Sequence, residues 1–397
     1  MRVGLAWLGD WVELGDLAPG QVAETLTMIG LEVEALFDRL AGLDQIVVGR
    51  VDSVTPKGSH LLACEVSAGR ETVTVLTGAP NVRVGGLYPL APVGANLPAG
   101  SVKAASMAGL VSRGILCSGW ELGLPGGAAG LLELPPETPV GQSLKELYPE
   151  PDWVLDLSIT PNRADALSIR GVARDLGAAL GRPLKELKID LKEGNQAASE
   201  LASVDILCPD HCWRYCARVV TNITIGPSPD WLVLRLMAAG LRPINNAVDV
   251  TNYVMLELGN PLHAFDLANI AGSKIQVRLG LAGQEFTTLD GQTRILKAPE
   301  NILICDAEKA VGLGGVMGGL NSAVEASATT VLLEGATFEP RAIRRTARAQ
   351  GLSTDASYRF ERGLDPLLAP LATNRAAELL ASISGGLVAK GLLDCYP

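Results

Sequence analysis

The chain has 397 residues, 48% of them apolar, and a formal net charge of −10. That length exceeds one hydrophobic core and predicts about two to four domains. The acidic balance excludes a general nucleic-acid coat, so any such contact must come from a local basic patch.

Gly and Pro break every apolar run short of the roughly 18 residues that a membrane span needs. The N-terminal apolar stretch is too short for a signal peptide. A cytoplasmic protein without membrane contact is therefore expected. Seven cysteines, an odd number, argue against a disulfide framework. Cys208, His211, Cys212 and Cys216 crowd into nine residues, whereas zinc sites take their ligands as separated pairs. Buried structural cysteines and no metal are expected.

Residues 1–40 read as a strand, a helix and a strand. The helix spans 17–30, with Pro19 near its start, Val22, Leu26 and Ile29 at helical spacing, and Gly30 as a stop. L-E-V-E-A-L at 31–36 alternates like a half-buried strand. From 41 to 150, short β-type runs separated by Gly- and Pro-rich turns predict a small barrel such as an OB-fold. V-V-G-R-V at 47–51, T-G-A-P-N-V-R at 77–83, S-R-G-I-L-C-S at 112–118 and E-L-G-L at 121–124 carry a resemblance to the tRNA-binding OB domain of several tRNA-associated proteins. The chain departs from that family at 57–63, where K-G-S-H-L-L-A replaces the usual H-P-N-A-D-K-L.

Residues 151–195 predict a strand at 153–159, a turn over T-P-N-R-A-D, and a helix from 166 to 181 with Asp165 as N-cap. Asn162 and Arg163 read as satisfying the turn. This segment looks like the second half of a domain that the barrel interrupts. Residues 185–199 are charged and polar, a linker, and a mixed α+β unit follows over 200–390. V-G-L-G-G-V-M-G-G at 311–319 fits neither a dinucleotide nor a Walker motif. It reads as backbone that approaches a ligand or another segment closely.

Two further stretches stand out. Residues 242–266 set many polar side chains among apolar ones, and a polar group stranded in a core costs roughly 1–3 kcal/mol, so these must be satisfied or used. Asn245, Asn246 and Asp249 read as scaffold in a connection between elements. Arg341, Arg344, Arg345 and Arg348 lie between Pro340, suited to a first helical position, and Gly351, suited to the residue past the end. That helix is either a solvated face or a phosphate-contacting one.

With T-P-N-R-A-D-A-L-S-I-R-G from 160, the 239–266 run, G-G-V-M-G-G from 314, and T-A-R-A-Q-G-L-S-T-D-A-S-Y-R-F-E-R-G-L-D-P from 346, the chain resembles the N-terminal half of bacterial phenylalanyl-tRNA synthetase β subunits. The resemblance runs the whole length and ends at Pro397, before the family's C-terminal half. It implies an α+β multidomain fold: an OB barrel (41–150) inserted in a small domain (1–40 plus 151–195), then a B3/B4-type editing domain (200–390). It implies hydrolysis of Tyr-tRNA(Phe), with Thr251, Asn252 and His263 in catalytic positions and Gly314, Gly315, Glu334 and Ala356 lining the substrate pocket. Glu334 matches the residue that recognises the tyrosine hydroxyl. It also implies tRNA(Phe) and an α subunit as partners, and ATP and Mg²⁺ for the complete ligase but not for editing.

The chemistry is consistent with such a site. A pocket shaped for Phe rejects an isostere bearing an extra hydroxyl by only about a hundredfold, so a second site must prefer the hydroxylated side chain. A carboxylate satisfied by a phenol O–H and left unpaired by Phe does so. R-F-E-R at 359–362 is similar to the F-R-x-E element of class II synthetases but in the wrong order, and reads as a structural ion-pair segment. The competing reading is a non-catalytic RNA- or protein-binding module.

Overall fold

The computed structural model describes residues 1–98, 100–126, 130–297 and 301–397. Near the N-terminus, strands Arg2–Gly4 and Glu32–Asp38 flank strand Trp153–Ser158 in a three-stranded antiparallel sheet. Helices Leu5–Trp11 and Pro19–Met28 connect the first two strands. No capping side chain marks the Leu5–Trp11 helix; burial of Trp7, Leu8 and Trp11 holds it, as packing commonly does for helices too short to stand alone. Helix Ile169–Leu180 starts later than Asp165 predicts. Ser168 is its cap, its hydroxyl accepting from the Gly171 N–H at 3.0 Å, while Asp165 pairs with Arg163 and Arg174.

The inserted segment forms a five-stranded sheet in the order Gly114–Leu116, Leu87–Pro92, Val47–Pro56, Leu62–Ser67, Thr72–Thr77. Its two edges meet, because the Arg113 N–H donates to the Thr74 carbonyl at 2.9 Å and the Leu76 N–H to Ser112 Oγ at 3.0 Å. Val51, Val66, Val75, Tyr88 and Leu90 fill the interior of this nearly closed barrel, as the OB-type reading expects.

The following unit is a sandwich of two sheets and helices. Strands Cys212–Thr221 and Thr330–Phe338 form the centre of a six-stranded sheet, with Leu262–Asp266 on the far side of Thr330–Phe338. Residues of period two along Thr330–Phe338 divide between two surfaces. Leu332, Ala336 and Phe338 share a core with Ile304 and Val311 of a five-stranded sheet, and Val331 and Leu333 share another with helices Asn246–Leu258 and Leu368–Ser384. Glu334 is in phase with Leu332 and Ala336. Its carboxyl is thereby aimed between the two sheets.

Two connections differ from expectation. The 185–199 linker ends in a strand, Glu193–Ala197, which pairs in parallel with Leu387–Lys390. Its charge is satisfied there, since the Glu193 carboxylate accepts from Arg218 and from the Gly391 N–H. The polar stretch at 245–249 is the start of a 13-residue helix, Asn246–Leu258. The N-terminal sheet is fixed to this unit by a shared core: Trp7 stacks on Tyr253 with ring centroids 4.6 Å apart, and Arg359 donates to the Leu167 carbonyl at 3.2 Å. Among the described residues, no helix is long and apolar enough to cross a membrane.

Candidate active site

Helix Asn246–Leu258 supplies one wall. Asn245 caps it, its side chain accepting from the Val248 N–H at 3.0 Å, and Gly259 closes it in the left-handed conformation. Its buried polar groups are occupied: Asp249 accepts from Ser228 Oγ at 2.6 Å and from the Ile244 N–H at 2.8 Å, and Asn246 donates to the Thr224 carbonyl at 2.9 Å. Glu257 is paired with Arg375 at 3.0 Å. These residues build the helix and its seat. Among the polar residues of this helix, Asn252 is the one that lines the cavity described next.

That cavity, of about 290 Å³, lies between the two sheets. Asn252, His263, Gly314, Gly315, Glu334 and Ala356 all line it, although 104 positions separate the first from the last (356 minus 252). Phe265, Met255, Val316 and Phe360 supply apolar surface. The volume is at the lower end for ligand pockets and suits one amino-acid side chain. Thr251 is not brought into it. One residue from Asn252 is about 100° of helix, which turns Thr251 into the protein, where its hydroxyl donates to the Val248 carbonyl at 2.7 Å.

The cavity holds two titratable groups on opposing strands. Glu334 is 7% exposed, and Tyr215 donates its hydroxyl to Oε2 at 2.7 Å. Burial pushes this carboxyl up to about 7, against the lowering effect of the Tyr215 hydrogen bond. His263 stacks edge-on against Phe265, with centroids 4.5 Å apart, and its Nε2 is shielded and without a hydrogen-bond partner. Burial pushes its pKa down to about 4, so the ring is neutral near pH 7.

At the glycines the backbone approaches another segment closely. A Cβ on Gly314 would meet Ile302 Cγ2 at 2.8 Å, and one on Gly315, whose φ is +67°, would meet Ile343 Cδ1 at 2.6 Å. Both are glycine because the backbone packs tightly on the core behind the cavity. The Gly314 N–H is engaged by the Ile302 carbonyl at 2.8 Å, which leaves the Gly315 amide as the candidate donor to an ester oxygen. Gly318, which the motifs leave unassigned, makes room for the imidazole: a Cβ there would lie 2.5 Å from His263 Cε1 and 2.8 Å from Nε2. Thr354 likewise lies within a quoted run, the one from 346, without an assigned role. It lines the cavity, caps helix Asp355–Phe360, and donates to the Val316 carbonyl at 2.8 Å. Phe265 was findable, since it is two residues after His263 on the same face of a strand.

Arg341, Arg344, Arg345 and Arg348 do not line the cavity. They form the exposed face of helix Pro340–Gln350, whose buried face carries Ala342, Ile343, Thr346 and Ala347. Ile343 is the residue against Gly315, so this helix backs the cavity wall. A larger cavity of about 640 Å³ lies by Phe37, Trp120 and Met237 and shares no lining residue with this one; its Arg39 is already paired with Asp152. Among the described residues, no cluster of three or more His, Cys, Asp or Glu is placed to hold a metal, and all seven cysteines are free thiols.

Two family models match: "B3/4 domain" over residues 211–385, which contains every named residue of the 290 Å³ cavity, and "Putative tRNA binding domain" over 46–143, the barrel. The chain is 45% identical over 400 residues to the phenylalanine–tRNA ligase beta subunit of Syntrophus aciditrophicus, covering 100% of this chain and 50% of that protein. The beta subunits of Anaeromyxobacter dehalogenans (46% over 398 residues) and Moorella thermoacetica (46% over 405) match 99% and 100% of the chain, and 49% and 50% of their own lengths. Over essentially its whole length the chain is similar to phenylalanine–tRNA ligase β subunits. It spans about half the length of the curated β subunits it matches. A solved N-terminal fragment of the phenylalanyl-tRNA synthetase β-subunit from Pyrococcus horikoshii aligns over 60% of this chain at 16% identity and a TM-score of 0.33, too distant to carry an argument.

The match to the putative tRNA-binding domain coincides with the nearly closed barrel, and the match to the B3/4 domain with the two-sheet unit. The mixed α+β architecture is as the motifs imply.

Proposed function

We propose that the 290 Å³ cavity is a post-transfer editing site that hydrolyses tyrosine from Tyr-tRNA(Phe). The observation that carries the reading is Glu334. It is a carboxyl enclosed between two apolar sheets, already accepting one phenol, with the cavity on its remaining side. A Tyr side chain satisfies the free carboxylate oxygen, whereas Phe leaves it unpaired and desolvated, at a cost of roughly 1–3 kcal/mol.

Hydrolysis on this reading uses an ordered water. Its oxygen bonds to the ester carbonyl carbon, the carbon–oxygen bond to the ribose breaks, and the water's proton leaves with the ribose oxygen. The unpartnered His263 Nε2, on a neutral imidazole, holds the water or the ribose hydroxyl, and Asn252 orients the amino acid. On this reading the Gly315 amide, at the cavity wall, is the donor to the developing oxyanion. Thr251 has no part in this scheme.

The same reading divides the chain into a split unit (1–40 plus 151–195), a barrel (41–150) and the editing unit (200–390). The barrel and the basic face of Pro340–Gln350 contact tRNA(Phe). Aminoacylation, with its ATP and Mg²⁺, requires the α subunit and residues outside this chain, and the holoenzyme works in the cytoplasm.

The test is direct. Purified chain, alone and with the α subunit added, is incubated with Tyr-tRNA(Phe) and Phe-tRNA(Phe). Faster-than-spontaneous loss of tyrosine, with phenylalanine spared, supports editing. Both esters decaying at the spontaneous rate in both preparations leaves a binding module instead.

A further inference from the structure

Glu334 has a partner that no motif in the chain points to. Tyr215 lies on the neighbouring strand Cys212–Thr221, in register with Ala336, while Ala217 is opposite Glu334. Its side chain is fully buried, and its hydroxyl reaches diagonally to Glu334 Oε2 at 2.7 Å. On the other flank, strand Leu262–Asp266 sets His263 opposite Glu334. The carboxyl is bracketed within its own sheet, and the side left open to it is the cavity.

We propose that Tyr215 is a positioning residue that sets the specificity of this cavity: its hydroxyl holds Glu334 by Oε2 and leaves Oε1 as the acceptor for a phenol entering with a substrate. The proposal rests on the editing reading above and names the residue that makes Glu334 selective.

Two physical consequences follow from the pairing. An unpinned Glu side chain would be free to turn away from the cavity, and holding a reacting or recognising group in place is what a site built for discrimination needs. The hydrogen bond also favours the ionised carboxylate, opposing the burial that favours the acid. An ionised carboxylate only accepts hydrogen bonds, so a phenol O–H satisfies it and a phenyl ring cannot; a neutral acid has a donor of its own and discriminates less.

The other groups facing this carboxyl are few. Cys212 lies on the Tyr215 strand with its thiol pushed well above its ordinary value by burial, and burial likewise pushes the Tyr215 phenol up. His263 is held neutral from the opposite strand. Asp355, on the short helix lining the cavity, is ion-paired with Arg359 at 2.9 Å.

The experiment compares wild type with Tyr215→Phe, which keeps the ring and removes the hydroxyl, and with 3-fluorotyrosine at 215, a stronger donor of nearly the same shape. For each, kcat/KM for Tyr-tRNA(Phe) and Phe-tRNA(Phe) is measured across pH, with thermal unfolding as the control for folding. In Tyr215→Phe the Tyr/Phe ratio is expected to fall about tenfold, one ordinary hydrogen bond's worth, and the pH midpoint for Tyr-tRNA(Phe) to move up. Fluorotyrosine restores the ratio and moves the midpoint below that of wild type. An unchanged ratio and midpoint in Tyr215→Phe, or equal losses on both substrates, overturns the proposal. A separate measurement needs no tRNA: the Glu334 carboxyl is titrated by carbon-13 NMR on glutamate-labelled protein, with Glu334→Gln as the assignment. A titration that does not shift in Tyr215→Phe overturns the pairing itself, whereas wild type inactive on both tRNAs with a shifting titration overturns only the editing reading.

Discussion

His263 and Glu334 stand directly opposite each other on adjacent antiparallel strands, Leu262–Asp266 and Thr330–Phe338, although 71 positions separate them in the chain (334 minus 263). Side chains so placed project on the same side of the sheet, about 5 Å apart at Cβ. A one-residue slip of either strand would turn its own member of the pair out of the cavity and leave the other without its opposite. The site thus depends on strand pairing more than on any local motif.

Glu334 is expected to carry selectivity and not rate. In Glu334→Ala or Glu334→Gln, the preference for Tyr-tRNA(Phe) over Phe-tRNA(Phe) should fall by about ten- to a hundredfold, the range for hydrogen bonds to charged groups. Parallel hydrolysis assays on the two esters measure it. A ratio equal to wild type would remove Glu334 from the recognition role.

The two groups also predict opposite pH dependences of stability. Glu334 is raised from 4.5 to about 7, so the native state binds more protons than the unfolded chain between those values. Its contribution is full below about 4.5 and is lost as pH rises through about 7. His263 is lowered from 6.5 to about 4, so its contribution is full above about 6.5 and is lost as pH falls through about 4. In wild type the two slopes oppose each other over their overlap. Relative to wild type, urea midpoints of Glu334→Gln should therefore gain with rising pH between about 4.5 and 7, and those of His263→Gln should lose with rising pH between about 4 and 6.5. Variant curves parallel to wild type would show that neither carboxyl nor imidazole is perturbed.

Gly318→Ala tests the imidazole's seat. The added methyl would lie 2.5 Å from His263 Cε1, so the ring must move. Misplacement of a reacting group by about 1 Å costs on the order of a hundredfold in rate. Tyrosine hydrolysis should drop by about that factor, and the double variant Gly318→Ala/His263→Ala should be no slower than His263→Ala alone, because the two act through one group. Additive losses in single-turnover rates would contradict this.

For the basic helix face, replacing Arg344 and Arg345 with Glu should weaken tRNA binding and flatten its salt dependence, by about 0.7–0.9 in logarithmic slope for each phosphate no longer neutralised. The weakening should be similar for any tRNA sequence, since phosphate contacts carry no base information. Filter binding across a salt series measures both quantities. An unaltered slope would leave these arginines as a solvated face.

Elements with strong local signals were legible in the sequence. The Pro19–Met28 helix, the alternating 32–38 strand, the barrel strands and the Pro340–Gln350 helix announce themselves by period, caps or turns. What local signals could not reveal is the phase of an element against its neighbours. Thr251 and Asn252 are adjacent on a helix with a small bias between faces, and only the packing of Asn246–Leu258 decides which one reaches the cavity. Asp165 and Ser168 are both good caps, and the 3₁₀ turn at Ala164–Ala166 selects the later one. Tyr215 lies 119 positions before Glu334, and no spacing rule links residues that meet through strand pairing.

The barrel's point of entry has a practical consequence. Asp38 and Trp153 are opposite partners at the end of one ladder, and the chain leaves the sheet at the first and re-enters it at the second. The seam is fastened by Arg39, whose amide donates to the Asp152 carbonyl at 2.9 Å and whose guanidinium pairs with the Asp152 carboxylate. Two strands ending face to face can be joined by a two-residue Asn-Gly hairpin turn. A shortened chain running from Asp38 through such a turn to Trp153 should keep the three-stranded sheet and the cavity beyond it, turning the barrel into a removable cassette and letting the proposed tRNA contact and the proposed ester cleavage be assayed one without the other.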